Sequence, residues 1–368
     1  MEGRTRLLVP KQSMVSKAPP KEPAFFNPRA RINRDFSIIA YSTFLQKFKG
    51  PKIFLDSLSG IGARSIRVAN EVHAVEKVFV NDVNPKALEI AQEIAKLNNV
   101  TNCVFSENEA CRFLSLHSKR DQRGAIVDVD PFGSPSKYID CAIRATFHGG
   151  LLSTTATDLT VLHGLFPTAC KRKYYGVPVR AEYGDEIALR LILGCTNLVA
   201  GRLDVKIAPL FVQNNMHYYK TYVKVLVRTG DEEEMGYILN CKNCGNRHVI
   251  KEITRECEVC KSKAGIAGPL WIGRLYDKEF VEDMIANKEK FEVDKSCKKI
   301  LEKCKNEADM PPTYFTIDEI AHMKKCPPIS LAKTISKIQN AGFRATPTSL
   351  NPAAFKTDAR IDEILSII

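Results

Sequence analysis

Short apolar runs and helix-period stretches take turns along the first half of the chain, and this alternation limits the fold more than any other feature. Runs at 53–55, 78–80, 125–127 and 151–155 are separated by helical patterns around 65–69, 85–97, 135–147 and 159–170. Strands joined through helices lie parallel, so the pattern predicts a doubly wound sheet with helices on its faces. A further helical stretch at 181–200 leads into β-rich runs at 205–212 and 218–227 with no helix between them. Two strands that close in sequence pair antiparallel. Ahead of the alternation, Phe36, Ile38, Ile39, Tyr41, Phe44, Leu45 and Phe48 recur at helical spacing and predict an amphipathic helix over 35–48.

Open sheets of this kind bind ligands beyond the carboxyl ends of their strands. The first run is followed by Asp56-Ser57-Leu58-Ser59-Gly60-Ile61-Gly62-Ala63-Arg64, a turn with small residues where a backbone must approach a ligand. Asp82 follows the second run, where a carboxylate can accept hydrogen bonds from both hydroxyls of a ribose. It also reads as a helix cap before Pro85, a role that Asn84 fills equally well. The two features together predict a site for an adenosine-type cofactor and leave open which one.

The residues after the fourth strand, Asp128-Val129-Asp130-Pro131-Phe132-Gly133-Ser134-Pro135, narrow the choice. A carboxylate followed by Pro and an aromatic resembles the motif of methyltransferases that act on exocyclic amines of bases. Such an amine has its lone pair delocalised into the ring and is a poor nucleophile. A carboxylate that accepts its N–H bond, and then its proton, returns electron density to nitrogen. Phe132 offers a stacking face for a base held outside its helix. Pro131 fixes the backbone so that both groups point into one pocket. The bland reading of Asp130 is a turn residue before proline, an odd use for two acids at one strand end.

Five parallel strands closed by an antiparallel pair is the plan of the class I methyltransferases, and with these motifs the chain resembles the tRNA guanine-26 dimethyltransferases. Those enzymes methylate the 2-amino group of a guanine between the D-arm and the anticodon arm. The resemblance covers most of 20–230 and rests on Phe25-Phe26-Asn27-Pro28-Arg29, Asn33-Arg34-Asp35, the 56–64 turn, Asp82, residues 130–134 and Thr155-Ala156-Thr157-Asp158. It implies S-adenosylmethionine as methyl donor and tRNA as substrate. It also implies that Arg34 and Arg64 contact the cofactor at its methionine carboxylate, that Asp82 holds the ribose, and that Glu109 and Ala110 line the adenine pocket. Asp130 is implied to activate the guanine amine, with Phe25 and Phe132 on either side of the flipped base and Phe26 as the alternative to Phe25. The first glycine of the turn is absent, and Leu58 stands near its place. Two competing readings are an amino-methyltransferase for another base, such as adenine in DNA, and a non-catalytic RNA-binding protein on a methyltransferase fold.

Four of the twelve cysteines form two Cys-x-x-Cys pairs, Cys241 with Cys244 and Cys257 with Cys260, separated by twelve residues. That spacing predicts a tetrahedral zinc held by four thiolates, structural because no coordination position is left open. The other eight, Cys111, Cys141 and Cys195 among them, are expected to be core thiols and not disulfides. The acidic run at 231–234 reads as a domain edge, and the apolar pattern over 314–343 resembles a winged helix-turn-helix, with a plain helical hairpin sharing the same periodicity. The expected fold class is α/β: a class I methyltransferase Rossmann-like sheet, parallel with a terminal antiparallel strand, a zinc-ribbon-like module and a mainly helical, winged-helix-like C-terminal domain. The expected division is a basic arm at 1–34 reaching the active site, a methyltransferase domain at 35–235, a four-cysteine zinc module at 236–273 and a tRNA-binding domain at 274–368.

The net charge is +12, of which +6 falls in residues 1–34 and +4 in residues 241–368. Such an excess suits phosphate, and tRNA is the partner expected to meet it at the arm, at Lys171-Arg172-Lys173 beside Tyr174 and Tyr175, and at the C-terminal lysines. The arm is expected to order only after Ala24. No apolar run approaches the roughly 20 residues of a membrane span, and no secretory leader is visible. A cytoplasmic protein without a membrane partner or an obligate protein partner is expected.

Overall fold

The computed structural model describes residues 1–16, 19–20, 22–227 and 234–368. Its central sheet has seven strands, β1 (Ile53–Asp56), β2 (Lys77–Asn81), β3 (Cys103–Ser106), β4 (Gly124–Val129), β5 (Thr146–Ala156), β6 (Val205–Asn215) and β7 (Tyr218–Val227), in the order β3-β2-β1-β4-β5-β7-β6. Strands β1 to β5 are parallel, while β7 runs antiparallel to both β5 and β6. All six residues of β4 are buried, as expected of a strand covered on both faces. The strand order turns back between β1 and β4, and a crevice opens beyond their carboxyl ends.

The helix expected over 35–48 spans Arg31–Lys47, and every residue from Asn33 to Leu45 is buried. Its outer side is covered by the helices Lys278–Lys288 and Ser296–Glu307, whose Val281, Met284, Cys297 and Leu301 join the main core. The stretch at 159–170 forms two helices, Leu159–Leu162 and Pro167–Tyr174. Gly164 turns the chain with a φ of +83°, and Pro167, lacking an N–H, is suited to the first turn of a helix.

A second sheet, β8 (Met235–Asn240), β9 (Arg247–Ile250) and β10 (Gly265–Trp271), is antiparallel in the order β10-β8-β9 and carries the paired cysteines in its two connections. A third, β11 (Phe315–Thr316), β12 (Ala345–Pro347) and β13 (Ala354–Thr357), packs with the helices Ile317–Lys324, Leu331–Asn340 and Ile361–Ile367 around a separate apolar cluster. Two short helices followed by a β-hairpin make the winged arrangement. No helix among the described residues is long and apolar enough to cross a membrane. Lys17 and Lys21 of the arm, and Asp231, Glu232 and Glu233 of the acidic run, lie outside the described residues.

Two expectations are corrected. Cys111 and Cys141 form a disulfide, because the helices Ala110–Leu116 and Ile139–Ala145 pack side by side and bring their Cα atoms to 5.7 Å. Residues 2–6, expected to be loose ahead of Ala24, are packed against the protein. Glu2 and Thr5 are buried, Thr5 donates to Glu71 at 2.7 Å, and Arg6 donates to the carbonyl of Leu97 at the end of the helix Pro85–Leu97. A cation there offsets the negative end of the helix dipole.

Candidate active site and metal centre

The crevice beyond β1, β2 and β4 is a cavity of about 400 Å³. Phe25, Arg34, Arg64, Asp82, Asp130 and Phe132 all line it, so the topology brings together six of the eight cofactor, base and catalytic residues expected from sequence. Glu109 and Ala110 are not among its lining residues. The Glu109 carboxylate turns back to accept from the Arg112 N–H at 3.1 Å, capping the helix Ala110–Leu116, and Ala110 is packed into the core.

The turn after β1 reaches the cavity through two glycines with left-handed backbone, Gly60 at φ +54° and Gly62 at φ +72°. A side chain at Gly62 would also meet Ile66 at 2.9 Å and Ala91 at 3.0 Å. Gly62 is therefore fixed by both strain and space. Asp82 accepts from the Gly60 N–H at 2.7 Å and from the Asn84 N–H at 2.9 Å. Asn84, not Asp82, caps the helix Pro85–Leu97, which leaves the Asp82 carboxylate facing the crevice.

Arg64 lies at the centre. One terminal nitrogen donates to Asp128; the other donates to Asp130 at 2.5 Å and to Asn33 at 2.7 Å. Asp128 is fully buried and also accepts from Lys220 at 2.9 Å, while Lys220 donates to Thr155 at 3.0 Å. Burial by itself would raise the Asp128 carboxyl, but the charges of Arg64 and Lys220 overcome it and hold the group below its ordinary value. Burial, with the charge of Arg64, lowers Lys220. Asp56, at the end of β1, is pushed up to about 7, first by burial and then by the Asp128 carboxylate. Asp130 differs from both acids. Its side chain is 28% exposed and opens into the cavity.

The aromatic pair forms the rim. The Phe25 and Phe132 rings meet edge to face with centroids 4.7 Å apart, and Phe132 is 58% exposed. Phe26 is buried beneath the Arg34 guanidinium, 4.9 Å from its ring centre, so Phe25 is the one that faces Phe132. Gly133, with a φ of +81°, exchanges hydrogen bonds with Thr157 and sets the Phe132 loop against β5. Arg34 is held by Glu2, which accepts from its Nε at 2.7 Å and from a terminal nitrogen at 2.5 Å. Glu2 and Lys220 are thus parts of the site that no sequence motif singles out, while Asn33 and Asp128 stand within motifs that gave them no role of their own. β7 carries two lysines, Lys220 and Lys224, and residue order does not tell that it is Lys220 that turns to Asp128.

The residues present fit an adenosyl cofactor with a carboxylate. Asp82 stands ready for a ribose, and the Nε of Arg64 is buried without a hydrogen-bond partner, which an acceptor entering from the cavity would satisfy. The four paired cysteines fit zinc in the same way. Their sulfurs lie within 4.8 Å of one another, with Cys241 and Cys260 at 3.4 Å and Cys244 and Cys257 at 3.6 Å. A tetrahedron with Zn–S bonds of about 2.3 Å has edges of about 3.8 Å. Gly245 and Lys261, each following the second cysteine of a pair, take left-handed backbone and donate to the carbonyls of Cys241 and Cys257. The two halves of the centre are built alike. Four thiols leave no position for a substrate.

Comparison with known proteins agrees with this geometry. Residues 3–368 match the family described as N2,N2-dimethylguanosine tRNA methyltransferase. The tRNA (guanine(26)-N(2))-dimethyltransferase of Methanothermobacter thermautotrophicus is 33% identical, covering 100% of this chain and 97% of the relative. The tRNA (guanine(26)-N(2)/guanine(27)-N(2))-dimethyltransferase of Aquifex aeolicus is 32% identical over 99% of this chain and 94% of its own. Among solved structures, Trm1 from Pyrococcus horikoshii in complex with S-adenosyl-L-methionine superposes with a TM-score of 0.88 at 30% identity, covering 100% of this chain and 98% of that one.

Proposed function

Since the chain belongs to the N2,N2-dimethylguanosine tRNA methyltransferase family, we propose that it transfers methyl groups from S-adenosylmethionine to the exocyclic 2-amino group of guanine 26 in tRNA. The observation that carries this reading is Asp130, a partly exposed carboxylate held at 2.5 Å by Arg64 in a cavity that Asp82 and the Phe25–Phe132 pair also line. When bound, S-adenosylmethionine supplies an electrophilic methyl group on a sulfonium. The protein's own task is to make the amine attack it.

Asp130 accepts the N–H bond of the guanine amine and takes its proton as nitrogen bonds to carbon. Arg64 fixes the direction of that carboxylate, and Asp128 and Lys220 fix Arg64 in turn. Asp82 binds the ribose hydroxyls. The carboxylate of the donor is met by Arg64 through its orphaned Nε and by Arg34, oriented by Glu2. The adenine end falls to Val83 and Ala87, apolar lining residues beside Asp82.

A paired guanine cannot reach this cavity inside a helix, so the base is displaced to lie between Phe25 and Phe132. A base sandwiched at ordinary contact distances needs roughly 7 Å between the two rings. They stand closer now, at 4.7 Å, and part as the base enters. In this reading residues 35–235 carry the chemistry, residues 1–34 close over it, residues 274–368 hold tRNA, and Cys241, Cys244, Cys257 and Cys260 bind a structural zinc.

The test is to incubate the protein with an unmodified tRNA transcript and methyl-labelled cofactor and to identify the nucleosides after digestion. N2-methylguanosine followed by N2,N2-dimethylguanosine is expected, and a transcript with adenosine at position 26 is expected to take up no label. Label in that transcript would move the target to another position, such as the neighbouring guanine that the Aquifex relative also modifies. Methylated adenine in duplex DNA would favour a different base altogether.

A further inference from the structure

β6 and β7 are joined by the tightest connection at the crevice. Asn215 pairs with Tyr218, leaving Met216 and His217 as a two-residue tip. His217 and Tyr218 line the active-site cavity, whereas Met216 points away from protein and is 82% exposed. A single exposed methionine is ordinary on a protein surface. The strands that carry this one are anchored: Gln213 donates to the Tyr218 hydroxyl at 2.7 Å, Asn214 donates to the Leu350 carbonyl at 2.8 Å, and Gln213 pairs with Lys220, itself bound to Asp128. The tip is therefore tied to the carboxylate network at its base and to the C-terminal region at its side.

We propose that Met216 is the wedge that enters the base stack of the tRNA when the target guanine leaves it. The proposal rests on the reading of displaced-base methylation given above. A base that swings out leaves a gap about 3.4 Å deep between its neighbours, and nucleic-acid proteins that unstack a step fill it with an apolar side chain. Three conditions must be met together: the side chain is apolar and exposed, it stands at the rim of the cavity that receives the base, and the strands on either side of it are anchored. Met216 meets all three. Its unbranched thioether is thin and polarisable, suited to lie against base faces. Leu165 and Phe166 are also exposed, but no residue of their loop between the helices Leu159–Leu162 and Pro167–Tyr174 lines the cavity, whereas His217 beside Met216 does.

The experiment uses the full-length protein and a tRNA transcript carrying 2-aminopurine at position 26, whose fluorescence is quenched by stacking. Wild type is expected to raise the fluorescence several-fold on binding. Met216→Ala is expected to cut that rise at least threefold and to lower kcat on guanine-26 transcript 10- to 100-fold, with cofactor affinity unchanged. Met216→Leu is expected to restore both. On a transcript whose position 26 faces an abasic nucleotide the base is already loosely stacked, and Met216→Ala is expected to turn over within threefold of wild type. Equal fluorescence and turnover in wild type and Met216→Ala on the intact transcript would overturn the wedge, as would an equal loss on both transcripts. No fluorescence rise with wild type would overturn base displacement itself, and the wedge with it.

Discussion

Two buried carboxylates, each held by two cations, teach different things about this molecule. Glu186 accepts from Arg190 and Lys356 at 2.8 Å and from the Thr313 N–H at 3.0 Å, and none of the three charged side chains is more than 3% exposed. Burial would raise the Glu186 carboxyl, but Lys356 and Arg190 hold it below its usual range. Its partners come from the helix Gly184–Gly201, from residue 313 and from β13, and Arg190 also donates to the carbonyls of Trp271 and Gly273, so the cluster ties the C-terminal segment to that helix and to the end of β10. Asp128 has the same form, with Arg64 and Lys220 as its cations. Its cluster does not end. Arg64 reaches past Asp128 to Asp130, which opens into the crevice. The closed cluster joins parts of the fold, while the open one ends on a carboxylate that lines the cavity.

The largest effect that separates them is on stability. Replacing Glu186 with Ala leaves Arg190 and Lys356 buried without their anion, a loss of about 3–5 kcal/mol. Denaturant midpoints are expected to fall accordingly while kcat of the remaining folded enzyme stays within twofold. Arg64→Lys is expected to reverse the pattern. An ammonium cannot span Asp128, Asp130 and Asn33 with one planar fork, so kcat drops roughly 10- to 100-fold, with a smaller change in the midpoint. Equal changes in kcat for Glu186→Ala and Arg64→Lys would dissolve the distinction.

The smallest effect concerns Asp56, which shares the open cluster through the charges of Asp128 and Arg64. Its carboxyl is raised to about 7 in the fold against an ordinary value near 4. The folded state thus binds this proton more tightly than the unfolded chain. Stability from the group falls as pH rises from about 4 to about 7, and the loss is complete above that. Asp56→Asn keeps an acceptor for Ser65, whose hydroxyl donates to Asp56 at 2.6 Å, and removes the charge. It is expected to be more stable than wild type at pH 8 by about 1–2 kcal/mol, with the gap closing as pH falls toward about 4. A gap that narrows toward pH 8 would contradict this assignment.

The contrast between the clusters also marks what the sequence reveals. Alternating periods, the 56–64 turn, Asp82, Asp130 and the two cysteine pairs are local patterns, and they make the sheet, its binding edge and the metal cluster readable from residue order alone. The strand at the end of the domain is legible too, although its place between β5 and β6 is not stated by chain order. What holds the site in shape is non-local. Glu2 meets Arg34 across 32 positions, Arg64 meets Asp128 across 64, and Lys220 meets Asp128 across 92. The Cys111–Cys141 disulfide depends on how two helices pack, which neither cysteine's neighbours announce. The same holds for the arm, whose positive charge suggested a phosphate grip. Arg34 is turned inward to Glu2, and Arg6 to the end of a helix.

The central claim is that the open cluster exists to direct Asp130 at the guanine amine. The most direct measurement is single-turnover methyl transfer to guanine-26 transcript by Asp130→Asn, with cofactor affinity measured on the same preparation. The asparagine keeps the shape and removes the proton acceptor. Transfer slower by about 10²–10⁴-fold, with cofactor affinity within threefold of wild type, is the predicted result; transfer within tenfold of wild type would contradict it.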